Sequence, residues 1–329
     1  MSYFYVENKF LEFKIDSFFK KLSILNSTHF NGELSILLLG SMSRGEATWK
    51  KTNNGYELLS DIEFFTVFPD DFTEFKMFED QIQKIGKELF NFQKSPLFHI
   101  DNTFININKL GKLEKKLITY DAIYYGKTVV GKDVISKLPE VDLHTINFID
   151  IHDILIHRAF SVLYYGNKLK ENQSFDEYKY SLAKNSLDLM VVYLIEKGYL
   201  ISGFVNRFDM LKNLEVEEEF LDYLKYCLDI KLCIDSIEVY TIDEMEKIFV
   251  KYLIKLDKDF KYPFHNFLVN KKMIIRRKFG VFKRMVKYKF VPRKTKKMYL
   301  YHLISLLENK KAMSKEDILI NTIYNGYPL

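Results

Sequence analysis

The sequence predicts an α+β protein, in which an N-terminal domain with a mixed β-sheet flanked by helices is followed by an all-helical C-terminal domain. Up to about residue 107, apolar runs of strand length alternate with segments of helical spacing. After Leu138-Pro139 the spacing is helical only. The chain has 329 residues, which is long for a single hydrophobic core, so we expect two domains, 1–138 and 139–329.

The N-terminal domain begins with an amphipathic helix, whose apolar positions run from Phe10 to Leu22 at helical spacing. The turn residues Asn31-Gly32 then lead into a strand, and Pro69 ends the next one. The elements after the first helix are a strand over 34–39, a segment over 42–50 that opens with a short helix, a strand over 58–68, a helix over 72–92 and a strand over 97–107. This order is typical of a mixed sheet covered by helices.

The C-terminal half carries further helical patterns and no convincing strand. Ser314 is a good N-cap for a last helix, and Gly326 is placed to end it. The helices are predicted over 151–162, 183–194, 220–232, 242–256 and 315–325. We therefore expect a helical domain without repeats.

Cysteine use and the lack of targeting segments indicate the compartment. Two cysteines, Cys227 and Cys233, do not make a disulfide framework and favour a reducing environment. The first residues lack the charged and apolar regions of a signal peptide, and no apolar run approaches transmembrane length. We expect a cytoplasmic protein, either free or attached peripherally to the inner face of the membrane.

A basic segment, Lys271–Lys297, stands out from the rest of the chain. It contains thirteen Lys or Arg residues and no acid, whereas the whole chain has a net charge of +5. Apolar residues are interleaved with the basic ones, so the segment suits an anionic membrane surface or RNA. The alternative is a core helix whose long basic side chains reach solvent.

The most informative stretch is Leu34–Phe65, which reads LSILLLGSMSRGEATWKKTNNGYELLSDIEFF. Gly40-Ser41 follows an apolar strand, and a turn of this kind exposes backbone N–H groups that can hold phosphate. Asp61 and Glu63 are spaced i, i+2 on a strand, so they point to the same face and can share a divalent cation. The alternative is an edge strand whose acids are solvated.

These residues resemble the DNA polymerase β-type nucleotidyltransferase superfamily. The shared pattern is an apolar strand, Gly-Ser, a short polar helix and an acid-apolar-acid strand, over about residues 30–135. The sequence Ser60-Asp61-Ile62-Glu63 is similar to the Ser-Asp-Ile-Glu of aminoglycoside nucleotidyltransferases. The resemblance implies a catalytic domain at 1–138 and an acceptor-binding helical domain at 139–329.

The resemblance also implies the donor site. Gly40 and Ser41 would hold the triphosphate of a nucleotide, most naturally ATP, and Asp61 and Glu63 would bind Mg²⁺. Two Mg²⁺ ions are expected, with Mn²⁺ as an alternative. Asp101, on the strand after the next helix, is the best match for the third carboxylate of the family. Its alternative is a turn residue at a strand end, because Asp101-Asn102 is a common turn pair.

Two cations are further candidates for binding the nucleotide. Arg44, on the short helix opened by Ser41, is placed to add charge at the β- or γ-phosphate. Its alternative is a solvated helix residue. Lys184 lies in a row with Tyr180 and Asp188 on one helix face, from which it could reach a phosphate. The alternative for this row is a solvated face.

The chain departs from the family in one place. Nineteen residues separate Ser41 from Asp61, more than the family's usual spacing. Trp49–Glu57 therefore looks like an inserted loop at the mouth of the site. It either shapes the pocket for the acceptor or is only a longer turn.

The predicted function is that of a nucleotidyltransferase. It would transfer a nucleoside monophosphate from an NTP to a hydroxyl of a small-molecule acceptor, with metal ions, and release pyrophosphate. One alternative is nucleotidyl transfer to RNA or protein, with Lys271–Lys297 as the docking surface. The other is a non-catalytic member of the fold that acts as an antitoxin-like or regulatory binder.

Overall fold

The computed structural model describes residues 2–53, 55–90, 97–146, 148–172, 174–234, 239–259, 303–304 and 306–307. The strands are β1 (Ser35–Leu38), β2 (Trp49–Thr52), β3 (Gly55–Leu58), β4 (Ile62–Phe68), β5 (Ile100–Asn106) and β6 (Lys127–Val130). The helices are α1 (Lys9–His29), α2 (Gly40–Arg44), α3 (Phe75–Phe90), α4 (Leu117–Tyr125), α5 (Phe148–Glu171), α6 (Phe175–Glu196), α7 (Phe204–Leu211), α8 (Glu218–Lys231) and α9 (Ile242–Asp259). Short 3₁₀ helices lie at Ile107–Lys112 and Ile135–Lys137.

Four strands form a mixed sheet in the order β5-β4-β1-β6. β1 is antiparallel to both β4 and β6, whereas β4 and β5 are parallel. A parallel pair needs a crossover connection, which α3 provides between β4 and β5. The predicted mixed sheet and the α+β class are therefore confirmed.

The core covers both faces of the sheet. All four residues of β1 are buried, as expected for a central strand, and their side chains alternate between two apolar clusters. On one face, Phe18 of α1 packs against Phe64 and Phe90, with ring centroids 6.3 and 6.1 Å away. On the other face, Leu37 and Phe65 pack with Ala122 of α4. The sheet is thus held on both sides, which fixes the strand ends that carry the acids.

The structure refines the local predictions. The short helix predicted at the start of 42–50 is α2, and it ends at Arg44 because Gly45 adopts a left-handed conformation with φ +73°. The segment predicted as an inserted loop, 49–57, lies in an antiparallel hairpin of β2 and β3. α4 and β6 were not predicted at all. The basic segment 271–297 and the predicted last helix, 315–325, lie outside the described residues.

The described residues from 148 onward are helical, apart from their connections. By packing, the chain divides into two compact units, of which one contains 1–147 with 197–239 and the other 148–196 with 240–329. This division differs from the predicted functional domains, 1–138 and 139–329, which stay a prediction. None of the helices in the described ranges is both long and apolar enough to cross a membrane.

Asn26 ties the end of α1 to the start of β1. It is 3% exposed; its side-chain amide donates to the carbonyl of Leu34 at 2.9 Å, and its carbonyl accepts from the N–H of Leu34 at 3.1 Å. We expect Asn26→Leu to lower the free energy of unfolding by about 2–4 kcal/mol, because two buried backbone groups lose their partner. Urea denaturation measures this loss.

The control is Ser27→Ala on the exposed face of the same helix, where the hydroxyl bonds only the Ile24 carbonyl. Its effect should stay within about 0.5 kcal/mol. Equal losses for the two variants would show that the Asn26 bonds contribute nothing special.

Candidate active site

Three carboxylates meet at one end of the parallel strand pair. Glu63 of β4 and Asp101 of β5 are register partners, so their side chains leave the sheet side by side on one face. Asp61 lies two residues before Glu63. One oxygen from each of the three carboxylates lies within 4.8 Å of the other two. The structure therefore brings together the three acids that the sequence singled out.

Both alternative interpretations of these acids are wrong. β4 lies between β5 and β1, so Asp61 and Glu63 do not belong to an edge strand. Asp101 is the second residue of β5 rather than a turn residue. Asp61 and Glu63 are half-buried, whereas Asp101 is exposed. The cluster is thus open on the side of Asp101.

The carboxylate of Asp61 is anchored by the chain that leads into β5. The N–H of His99 donates to Asp61 Oδ1 at 2.9 Å, and the carbonyl of His99 accepts from the N–H of Ile62 at 3.0 Å. Asp61 precedes β4 and has no strand pairing of its own. Its carboxylate position therefore depends on residues outside the sheet ladder.

Gly40 lies directly against Glu63. Its φ is +66°, and a Cβ at this position would lie 2.1 Å from Glu63 Oε2. Both observations require glycine, since other residues rarely adopt this conformation and would displace the carboxylate. The same turn opens α2, with Ser41 half-buried in its first turn. The first N–H groups of a helix suit phosphate oxygens.

The residues of the cluster fit a divalent cation. Carboxylate oxygens are the ligands that Mg²⁺ prefers, and three of them converge from two adjacent strands. Like charges opposite each other on a sheet are destabilising, so a cation would relieve the repulsion between Glu63 and Asp101. The missing Cβ of Gly40 leaves the space that the Glu63 carboxylate uses.

Arg44 is not a solvated helix residue. Its side chain is 7% exposed, and its guanidinium pairs with Glu46 Oε2 at 2.7 Å and with Asp121 Oδ2 at 3.2 Å. Burial alone would lower the pKa of Arg44, but the charges of Asp121, Glu46 and Glu63 together hold that pKa above its usual value. Arg44 thus forms ion pairs with two acids of the protein. The predicted contact of Arg44 with a phosphate stays a prediction.

These pairs belong to a buried ionic network that sequence reasoning missed. Asp121 also accepts from Arg207 Nη2 at 3.1 Å and from the hydroxyl of Ser202. Glu46 Oε1 accepts from the N–H of Val205 at 3.1 Å, and it thereby caps α7, whose N-cap residue Gly203 has no side chain. The Arg44-Gly45-Glu46 sequence was the available signal, but its partners follow about 80 or more residues later.

Lys184 lies on α6, in the second compact unit, and is half-buried. The helix face around it is not solvated, because Tyr180 is 2% exposed and Asp188 pairs with Arg158 Nε at 2.7 Å. Burial lowers the pKa of His157 to about 3, with further contributions from the charges of Arg158 and Lys184. A role for Lys184 in nucleotide binding stays a prediction.

The hairpin of β2 and β3 is more than a long turn. The rings of Trp49 and Tyr56 pack edge to face at 5.2 Å, and Trp49 Nε1 donates to the carbonyl of Val6 at 3.3 Å. The backbone N–H of Trp49 lies 3.3 Å from Cys233 Sγ. The hairpin is therefore fixed at its base by two distant stretches of the chain.

Comparisons with known proteins give little beyond this geometry. No protein-family model matches the chain. No curated protein matches it. The structure is similar to that of spectinomycin adenyltransferase AAD(9) from Enterococcus faecialis with ATP and spectinomycin, with a TM-score of 0.43 and 14% identity over 73% of this chain and 98% of that chain. A likeness this weak carries no argument about activity or substrate.

Gly40 and Gly32 form a matched pair for testing the cluster. Both have positive φ, but a Cβ at Gly32 would meet nothing within 4 Å. We expect Gly40→Ala and Gly32→Ala each to lower the free energy of unfolding by about 1–2 kcal/mol, from backbone strain. Only Gly40→Ala should also weaken Mn²⁺ binding, on the order of tenfold, because it displaces the Glu63 carboxylate.

Electron paramagnetic resonance of free Mn²⁺ and urea denaturation give the two measurements. Equal Mn²⁺ affinity in the Gly40→Ala and Gly32→Ala proteins would contradict the close approach of Gly40 to a metal ligand.

Asp121→Asn tests the buried ionic network. Arg44 and Arg207 would stay buried with one negative charge fewer, so we expect the free energy of unfolding to fall by about 3 kcal/mol. The control is Asp209→Asn, because Asp209 pairs with Lys212 at an exposed position and should change stability by less than about 0.5 kcal/mol. Chemical denaturation of both variants checks this, and similar losses would rule out a special role for Asp121.

Proposed function

We propose that the protein is a nucleotidyltransferase, which transfers a nucleoside monophosphate from ATP to a hydroxyl group of a small-molecule acceptor. The observation that supports this best is the meeting of Asp61, Glu63 and Asp101 beside the Gly40-Ser41 turn. A carboxylate cluster next to a helix start can bind a metal–triphosphate complex, because it offers ligands for the cation and N–H donors for the phosphates. The resemblance of Ser60-Asp61-Ile62-Glu63 to aminoglycoside nucleotidyltransferases supports the same reaction.

Asp61, Glu63 and Asp101 would hold Mg²⁺, and Mn²⁺ is an alternative with similar ligands. When bound, the cations lower the pKa of the acceptor hydroxyl and neutralise the charge of the pyrophosphate. The carboxylates need no nucleophilic role of their own. Their contribution is a fixed arrangement of negative oxygens, and the two strands and the Gly40 turn keep it in place.

In the proposed reaction, the acceptor oxygen forms a bond to the α-phosphorus while the bond from that phosphorus to the bridging oxygen of the β-phosphate breaks. The hydroxyl proton passes to a base or to water, and pyrophosphate leaves with the bridging oxygen. The backbone N–H groups of Gly40 and Ser41 would orient the triphosphate so that attack and departure are in line.

The acceptor would be selected by residues 49–57 and by the predicted acceptor-binding domain, 139–329. A macromolecular acceptor was predicted from the basic segment 271–297, which lies outside the described residues. We favour the catalytic role over a non-catalytic one because three acids within 4.8 Å of one another provide the ligands that a metal–triphosphate complex needs.

Neutral isosteres of the acids test the donor site. The full-length protein should bind ATP only when Mg²⁺ is present, and Asp61→Asn and Glu63→Gln should each weaken that binding by roughly 100-fold, because a metal ligand is lost. Isothermal titration calorimetry with ATP, at fixed Mg²⁺ and without it, measures the effect. Asp80→Asn, on the exposed side of α3, is the control and should match the parent protein.

Metal-independent ATP binding, or full binding by both isosteres, would refute the proposed site. Release of pyrophosphate, measured with aminocyclitols, sugars and RNA as separate acceptors, then tests the reaction. Turnover with RNA alone would replace the small-molecule acceptor by a macromolecular one.

A further inference from the structure

A buried lysine is hydrogen-bonded to the residue that precedes the first acid of the cluster. Lys231, the last residue of α8, is 1% exposed, and its Nζ lies 2.9 Å from both Ser60 Oγ and Thr48 Oγ1. Its own carbonyl accepts from the Thr48 hydroxyl at 2.6 Å. Burying an ammonium group costs free energy unless hydrogen bonds compensate for the lost water. The hydroxyls of Ser60 and Thr48 provide such bonds, and we therefore asked what this arrangement positions.

Ser60 is the residue immediately before Asp61. Its hydroxyl receives a hydrogen bond from the N–H of Thr48 at 2.8 Å as well as the one from Lys231. Its own N–H donates to the Thr48 carbonyl at 3.2 Å. β4 begins at Ile62, so Ser60 lies outside the strand. The hydrogen bonds to Thr48 and Lys231 therefore help to fix its position.

Asp61 therefore lies between two anchors. On one side its carboxylate accepts from the His99 N–H, and on the other side its backbone follows Ser60. If Ser60 shifts, the carboxylate must either leave His99 or rotate away from Glu63 and Asp101. Mutation of groups that orient metal ligands in this indirect way typically lowers metal affinity by about 10–100-fold.

We propose that Lys231 is a positioning residue of the active site, which holds Asp61 in the carboxylate cluster through Ser60. The metal-binding part of this inference rests on the proposed function. Lys231 is too deeply buried to contact a nucleotide itself. Lys231 belongs to the stretch 197–239, which is distant in sequence from the acids. By way of Lys231, this stretch would determine the position of Asp61.

The variants are Lys231→Met, which keeps the apolar stem without the ammonium group, and Ser60→Ala, a smaller change that keeps the lysine. The matched control is Thr48→Val. It removes the two hydrogen bonds between Lys231 and the Thr48 hydroxyl but leaves the bond to Ser60. A purely structural role of Lys231 predicts that all three variants differ only in melting temperature.

Two measurements go beyond stability. Hydrogen exchange of the His99 amide reports whether Asp61 still accepts its hydrogen bond, and it needs neither metal nor nucleotide. Mn²⁺ titration in the presence of ATP, followed by electron paramagnetic resonance, reports on the assembled cluster. Both are carried out on the full-length protein below the melting temperature of every variant.

We expect Lys231→Met and Ser60→Ala to accelerate exchange at His99 and to weaken Mn²⁺ binding, each on the order of tenfold, with Thr48→Val close to the parent in both. The inference is overturned if the first two variants keep parental exchange and affinity, or if Thr48→Val changes them equally. Absence of metal-dependent ATP binding in the parent would refute the proposed function instead, and His99 exchange would still decide whether Lys231 positions Asp61.

Discussion

The parallel pairing of β4 with β5 is the constraint on which the rest of the site depends. Because Glu63 and Asp101 are register partners, two negative side chains stand next to each other on one face, and Asp61 joins them. A slip of one residue would send Asp101 to the opposite face and dissolve the cluster. Buried apolar residues on both faces of the sheet hold this register. The packing of the core thereby fixes the positions of the three acids.

The repulsion between neighbouring carboxylates must be offset, and two buried cations lie close to the acids or to the residues beside them. Arg44 raises the local positive potential near Glu63 while it stays paired with Glu46 and Asp121. Lys231 binds Ser60, next to Asp61. Both cations are largely buried, and each is held by polar partners of the protein. If the three acids bind a cation, as proposed, their arrangement is already in place in the protein without that ion.

The first compact unit is therefore built from two separate stretches of chain. The stretch 197–239 contains α7, which is capped by Glu46 from the N-terminal stretch. It also supplies Arg207 to the ionic network and Lys231, which donates a hydrogen bond to Ser60. This explains why a division of the chain at one point, near residue 138, does not describe the packing. A helical segment that follows the acids of the cluster by about a hundred residues therefore packs with them in the same unit.

The sequence by itself determined the features that depend on local periodicity and backbone sterics. It predicted β1, β4, α3, β5, the shared face of Asp61 and Glu63, and the mixed sheet, because strand alternation and turn residues are local properties. It also selected Asp101, although only the β4–β5 register placed that side chain beside Glu63. Tertiary structure alone decided the pairing of Arg44 with Asp121 and the contact of Lys231 with Ser60. These depend on residues that are distant in sequence or on packing around them, and no local pattern specifies which distant partner will neutralise a buried charge.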